Sequence, residues 1–332
     1  TRLFSKALRQ LFENAGDVLI MGHKNADMDC IGAALGIATC AKQIGSKAYI
    51  ILDESNVSID NVIALIESNR AYASMLITPD QAVRMMKPTS VLVVVDTQRP
   101  STVIAPELLT LCSRLVVIYH HRRSADHIDN STLHYLESRA SSASELVTET
   151  LQYFDDNMRP PSFVCGALLA GITVDTKHFA FNVGSRTFEA AGYLRKNGAD
   201  IGMVKQLFQE DMETFSDCAN AVRNARMTES GVAVSHVDAD ASNAKLVAAK
   251  AADDLIGIRG VEAAFVMGHA DGGICVSGRS LGNVNVQLIC ERMGGGGHLT
   301  MAGAQLNMTD FDEAEALVRS CIAQYEQEGE KK

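Results

Sequence analysis

DVLIMGHKNADMDCIGAA, residues 17–34, is the stretch on which the fold of this 332-residue chain turns. Val18–Met21 is a short apolar run bounded by polar and turn residues, which predicts a buried strand. His23, Lys24, Asn25, Asp27 and Asp29 follow at once, and Ile31 to Ala41 is then small and apolar with helical spacing. An imidazole and two carboxylates therefore stand where a strand ends and a helix begins, the position at which open α/β sheets bind ligands. Carboxylates this close repel one another unless a positive charge lies between them, and a divalent cation is the usual answer. The plainer alternative is a helix N-cap with one spare acid.

Outward from this stretch the pattern repeats. Lys47 to Leu52 reads as a second strand, Ser90 to Asp96 (SVLVVVD) as a run ending on a carboxylate, and Arg114 to Tyr119 (RLVVIY) as a run ending on His120 and His121. Runs of this kind, separated by helical segments, predict a mostly parallel sheet buried on both faces. Thr132 to Glu137 is a further strand and Ser141 to Phe154 a helix that opens with Ser/Glu capping chemistry. After Pro160-Pro161 an apolar stretch, Phe163 to Val174, ends on Asp175, and Ser185 to Lys196 is a helix. From about residue 230 the pattern restarts with a strand (232–237), a helix (244–256) and two strands (263–269 and 273–278). Arg279, a helix over 286–293, the run Gly294-Gly295-Gly296-Gly297-His298 and a last helix over 310–327 with Thr309 as N-cap complete the chain. The expected fold class is α/β. A parallel-sheet domain (1–198) is joined by a helical linker (199–228) to a smaller α/β domain (229–328), with the active site in the cleft between them.

The composition, 47% hydrophobic and 21% charged, is ordinary for a globular protein. A formal net charge of −10 argues against general affinity for the backbone of long nucleic acids. No apolar run approaches the length that spans a bilayer, and no signal peptide opens the chain. The eight cysteines form no CxxC pair and read as reduced core thiols in a cytosolic compartment, which argues against a structural zinc site.

Together the first domain presents His23, Asp27, Asp29, Asp96, His120 and Asp175 at segment ends. A nitrogen and oxygen set without sulfur suits manganese, magnesium or another borderline divalent ion. Six ligands exceed one tetrahedral site and fit two cations sharing a bridging carboxylate, the layout used for in-line attack on phosphorus by metal-generated hydroxide. Each residue also has a plainer role: Asp96 as a cap, Asp175 in a turn, a lone histidine in a hydrogen-bonded core. Six such coincidences at equivalent positions are less economical than one shared site.

HKNADMD (23–29), VVVDT (93–97), HHRR (120–123) and ITVDTKHF (172–179) resemble the successive motifs of the DHH phosphoesterase superfamily. GRSLGNVNVQ (278–287) and GGGGHLTMAG (294–303) resemble the DHHA1 domain that commonly follows. The wording of HKNADMD and GGGGHLT is most similar to the GdpP-type cyclic-di-AMP phosphodiesterases, in their C-terminal half only. The resemblance implies a cytosolic fragment of a membrane-anchored protein, touching the membrane only through N-terminal helices that this sequence lacks. It also implies a two-manganese site in which His23, Asp27 and Asp96 hold one ion. Asp29, Asp96, His120 and Asp175 hold the other, with Asp96 bridging and His121 beside the scissile phosphate. Arg122, Ser277, Arg279, Gly294, Gly295, Gly296, Gly297 and His298 are the substrate contacts it implies. Independently, a glycine run lets backbone N–H groups approach an anion, and arginine offers a planar bidentate donor. For the run the plain alternative is a ligand-free loop, and for Arg279 a surface ion pair.

The resemblance fails at one informative position: the motif that names the superfamily begins with Asp, and here Tyr119 stands there. That Asp supports the neighbouring histidine and the metal ligands, so reduced turnover is expected. Gln98, where many relatives carry His, is a smaller departure. The expected activity is hydrolysis of cyclic di-AMP to 5'-pApA, with a nanoRNase or pAp phosphatase and a turnover-impaired cyclic-dinucleotide-binding module as alternatives. The expected partner is thus a cyclic or short linear dinucleotide. GdpP-like proteins include homodimers, an association this sequence neither supports nor opposes.

Overall fold

The computed structural model describes residues 1–53, 59–121, 126–238, 241, 243–270 and 272–329. The chain divides into two compact units, Thr1–Gln209 and Glu210–Lys332.

The first unit runs α1 (Arg2–Glu13), β1 (Asp17–Met21), α2 (Met28–Gln43), β2 (Lys47–Ile51), α3 (Asp60–Ser68), β3 (Leu76–Ile77), α4 (Pro79–Met85) and β4 (Val91–Val95). It continues with α5 (Glu107–Leu111), β5 (Leu115–Tyr119), β6 (Leu133–Leu136), α6 (Ala143–Phe154), α7 (Ser162–Asp175), α8 (Ser185–Lys196) and α9 (Ile201–Leu207). Its six strands are all parallel, in the order β3-β2-β1-β4-β5-β6. The continuous apolar runs of β1, β4 and β5 follow from burial on both faces. Val18, Ile20, Val93 and Ile118 pack with α2, α6 and α7, while Leu19, Met21, Val94 and Val117 pack with α4 and α5.

The strand order fixes the place of any ligand. From β1 the chain moves outward to β2 and β3, then returns to pair β4 with β1 and proceeds the other way. The loops after β1 and β4 therefore diverge, leaving a crevice at the carboxyl ends of the two central strands. Beside it α2, α6 and α7 cross closely because glycines replace side chains at the contact. A Cβ on Gly32 would lie 2.7 Å from the Ala167 carbonyl, and one on Gly171 would lie 2.9 Å from Cα of Asp29.

The second unit comprises α10 (Met212–Arg223), β7 (Arg226–Met227), β8 (Val232–His236), α11 (Ala244–Ile256), β9 (Ala263–Ala270), β10 (Gly273–Ser280), α12 (Val286–Arg292), β11 (Gly296–Gly297), β12 (Met301–Leu306) and α13 (Phe311–Gly329). Its mixed sheet, in the order β11-β12-β10-β9-β8-β7, has β8 and β9 parallel and its other pairs antiparallel. One face packs on α10 and α11, the other on α12 and α13.

The structure departs from the sequence expectations in detail. Of the two helices in the 200–226 region, α9 lies within the first unit and α10 within the second. Arg279 and Ser280 lie inside β10, whose antiparallel pairing to β9 extends to Ser280. The cap of α13 is Asp310, not Thr309: Asp310 Oδ1 accepts from the amides of Asp312 at 2.8 Å and Glu313 at 3.1 Å. All eight cysteines are free and seven are buried. Among the described residues no helix is long and apolar enough to cross a membrane.

Candidate metal centre

The loop after β1 carries the first two donors. Gly22 lets the strand end press against α2, since a Cβ there would meet Cys30 Sγ at 2.0 Å. Asp27 then caps α2, its Oδ1 accepting from the amides of Asp29 (2.9 Å) and Cys30 (3.0 Å). Asp27 thus caps the helix and also groups with His23 and Asp96, a set that could hold a cation.

Asp29 is fully buried and uses both carboxylate oxygens on another helix: Oδ2 accepts from Ala143 N and Oδ1 from Ser144 N, each at 2.7 Å. These are orphan amides of the first turn of α6, at the end where the helix field favours negative charge. Asp96 follows β4 with φ at +59°, a left-handed conformation that costs a non-glycine residue about 1–3 kcal/mol. Strain of that kind persists where surrounding contacts enforce it. His120 follows β5, and Asp175 is the last residue of helix α7, not of a strand.

These side chains converge. His23 Nε2 lies 3.2 Å from Asp96 Oδ2, and His120 Nε2 lies 3.3 Å from Asp96 Oδ1, 3.2 Å from Asp175 Oδ2 and 3.8 Å from Asp29 Oδ2. Three overlapping donor sets result: His23, Asp27 and Asp96; Asp29, His120 and Asp175; and Asp96, His120 and His121, with the ligand atoms of each set within 4.8 Å of one another. His121 stands at the exposed mouth, its side chain 59% accessible and its Nε2 4.0 Å from Asp96 Oδ1. Its nearness to Asp96 puts it among the groups that could hold a cation, beyond the place beside the phosphate that the resemblance implies. The ring of His121 lies 3.9 Å from that of His120 and meets Tyr119 edge-on at 5.4 Å.

Burial pushes Asp27 up to about 7, and Asp96 and Asp175 push it in the same direction. Asp29 is raised by burial and by Asp175 and Asp96, and Asp175 by burial and by Asp96. Asp96 is held at about 2: burial opposes its charge, but the His120 and His23 imidazoles beside it outweigh that. Both histidines are shifted upward in spite of burial, because carboxylates surround them. The two imidazoles are thus the cluster's own source of positive charge. Asp96 Oδ1 and His120 Nε2 are buried with no hydrogen-bond partner among the described residues. A buried carboxylate oxygen and ring nitrogen left without partners in an acidic cluster fit a divalent cation with a preference for oxygen and nitrogen, which would take the place of the protons.

The remaining expected residues belong to the second unit, except Arg122, which falls outside the described residues. Arg279 is buried, with Nε on both oxygens of Asp253 (3.1 and 3.2 Å) and Nη1 on the Gly278 carbonyl (3.1 Å). Ser277 is half-buried on β10, paired with Gly303. The glycine run folds as a tight hairpin in which Gly296 pairs with Gly303 and Gly297 with Ala302. A Cβ on Gly295 would lie 2.1 Å from the Gly303 carbonyl, so this glycine is required by the chain's own strand. His298 is exposed in the turn, its amide donating to the Met301 carbonyl at 2.7 Å.

The parallel sheet with His and Asp donors at its central crevice, followed by a mixed-sheet unit, defines the class. Residues 17–172 match the DHH family, N-terminal domain, and residues 229–324 match the DHHA1 domain; the chain belongs to the DHH/DHHA1 phosphoesterase family. Within that class it is 41% identical, over 98% of its length, to the cyclic-di-AMP phosphodiesterase GdpP of Geobacillus thermodenitrificans. It is 40% identical, again over 98% of its length, to the cyclic-di-AMP phosphodiesterase PdeA of Listeria monocytogenes. The chain spans about half the length of these relatives, 50% in each case. In fold it is similar to an exopolyphosphatase-related protein from Bacteroides fragilis, with a TM-score of 0.84 at 18% identity, covering 98% of this chain and 97% of that one.

Proposed function

We propose that this chain is a divalent-metal-dependent phosphodiesterase that hydrolyses cyclic di-AMP to 5'-pApA. The observation that carries the reading is the convergence of His23, Asp27, Asp29, Asp96, His120 and Asp175 into donor sets linked through Asp96 and His120. The substrate comes from the relatives' chemistry, since two phosphodiesterases of cyclic di-AMP match it end to end.

His23, Asp27 and Asp96 would hold one manganese ion, and Asp29, Asp96, His120 and Asp175 the other. Bound there, divalent cations supply Lewis acidity that activates water and takes up charge on the phosphoryl oxygens. The side chains of this protein do the rest. Asp96 spans the two positions with its two oxygens, Oδ2 toward His23 and Oδ1 toward His120. Asp29 is locked in orientation by the amides of α6. His121, exposed beside Asp96, reaches the scissile phosphate and steadies it. Ser277, Arg279, His298 and the hairpin of Gly294 to Gly297 receive the remainder of the dinucleotide, with Arg279 pre-oriented by Asp253. Tyr119 is buried at the end of β5 within hydrogen-bonding reach of Gln98, and it lowers turnover relative to an acid at that position.

Purified chain with manganese, offered cyclic di-AMP, pApA and pAp in parallel, tests the proposal. Conversion of cyclic di-AMP to pApA is the expected result. Exclusive turnover of pAp, or tight binding of the cyclic dinucleotide with no product, overturns it.

A further inference from the structure

We propose that Glu145 is a positioning residue for Asp29, acting through the first turn of α6; the inference rests on the reading of the cluster as a two-cation site. Glu145 is 1% exposed. Its Oε2 gathers three donors, Ser141 N at 3.1 Å, Ser141 Oγ at 2.6 Å and Thr187 Oγ1 at 2.7 Å. It thereby ties the turn that enters α6 to the first turn of α8. Its Oε1 is buried with no hydrogen-bond partner among the described residues, and the nearest cation, Arg186 Nε, stands 4.0 Å away.

A buried carboxylate with one oxygen unsatisfied costs free energy, which the three donors on Oε2 and the place of Glu145 in the first turn of α6 offset. What the acid fixes extends to the cluster. Ser141 leads into the amides of Ala143 and Ser144 that hold both oxygens of Asp29. Ser144 Oγ also donates to the Asp29 carbonyl at 3.2 Å, and Gly171 of α7 leaves no slack behind it. The direction of the Asp29 carboxylate is therefore set by the pitch of the first turn of α6, and that turn is anchored by Glu145. A ligand's outer partners govern metal affinity by roughly 10–100-fold, and displacements near 1 Å are enough to matter.

Manganese titration of the purified chain, followed by the paramagnetic resonance of free ion and by calorimetry, reads this directly. The wild-type chain is expected to take up two ions. In Glu145→Gln and in Thr187→Val, one ion is expected to bind as before and the other about 10-fold more weakly, with cooperative melting retained. Two unchanged affinities, or equal weakening of both, overturn the positioning role. Should Glu145→Gln fail to fold, Thr187→Val decides, because it leaves Glu145 in place and removes one hydroxyl, which donates to Glu145 and accepts from the Gly184 amide at 3.1 Å. A wild-type chain that binds fewer than two ions overturns the two-cation reading itself, a failure distinguishable from unchanged variants.

Discussion

His120 Nε2 stands 3.2 Å from Asp175 Oδ2, joining the end of the β5 strand to the C-terminal end of the α7 helix. Asp96, lying between the two histidines, makes one cluster of them.

Replacing Asp96 with Asn is expected to abolish manganese-dependent hydrolysis. Removal of an outer partner of a metal ligand costs roughly 10–100-fold, and Asp96 is itself a member of two of the three donor sets, so the loss in kcat should exceed about 100-fold. Steady-state kinetics on cyclic di-AMP checks this, with circular dichroism to confirm the fold.

Asp27 both caps α2 and faces the cluster, and two substitutions separate those roles. Asn keeps a side-chain oxygen for the amides of Asp29 and Cys30, whereas Ala removes it. Both variants should weaken manganese binding. Only Asp27→Ala should also lose about 1 kcal/mol of unfolding free energy in denaturant titration.

Asp27 and His120 give the metal-free protein a definite pH dependence. A carboxyl raised from 3.8 to about 7 binds more protons folded than unfolded, so its contribution to stability falls as pH rises across that interval. A histidine raised from 6.5 to about 11 adds stability below 6.5 that fades as pH rises toward 11. Between pH 6 and pH 8 both effects have one sign: the metal-free Tm should drop. Manganese displaces the same protons and should raise Tm more at pH 8 than at pH 6, which differential scanning calorimetry measures.

Tyr119→Asp should increase kcat on cyclic di-AMP by roughly 10- to 100-fold at saturating manganese. An unchanged rate would remove Tyr119 as the cause of any handicap.

Arg279→Ala should raise KM for cyclic di-AMP by about 10-fold while leaving manganese affinity unaltered, because the Arg279–Asp253 pair belongs to the second unit and its guanidinium offers a charged bidentate donor. Equal loss of both would remove Arg279 from substrate recognition.

Much of the first unit is legible in the sequence because β1, β4 and β5 are buried on both faces, leaving unbroken apolar runs that end on the donors. The nature of the segment before Asp175 is not legible. Every residue of α7 from Phe163 to Thr173 is buried, so helical periodicity is lost from its apolar pattern. Strand β12 is hidden for another reason: Ala302, Gly303 and Ala304 are too small to register as a strand, and only pairing with β10 reveals it. The grip of α6 on Asp29 uses backbone amides, which carry no residue signature; only the Ser/Glu start of the helix hinted at order there. The Asp253 partner of Arg279 is likewise set by tertiary packing of α11 against β10, which local sequence does not encode.

Asp27 and Asp29 have second occupations, one capping the start of α2 and the other seated on α6, so helix formation alone would retain them in a relative that held no cation. The acids most visible in HKNADMD are therefore the poorer witnesses to catalysis among relatives. Asp175 and His120, which meet in the cluster from separate elements, are the positions whose replacement would mark a silent copy of this fold.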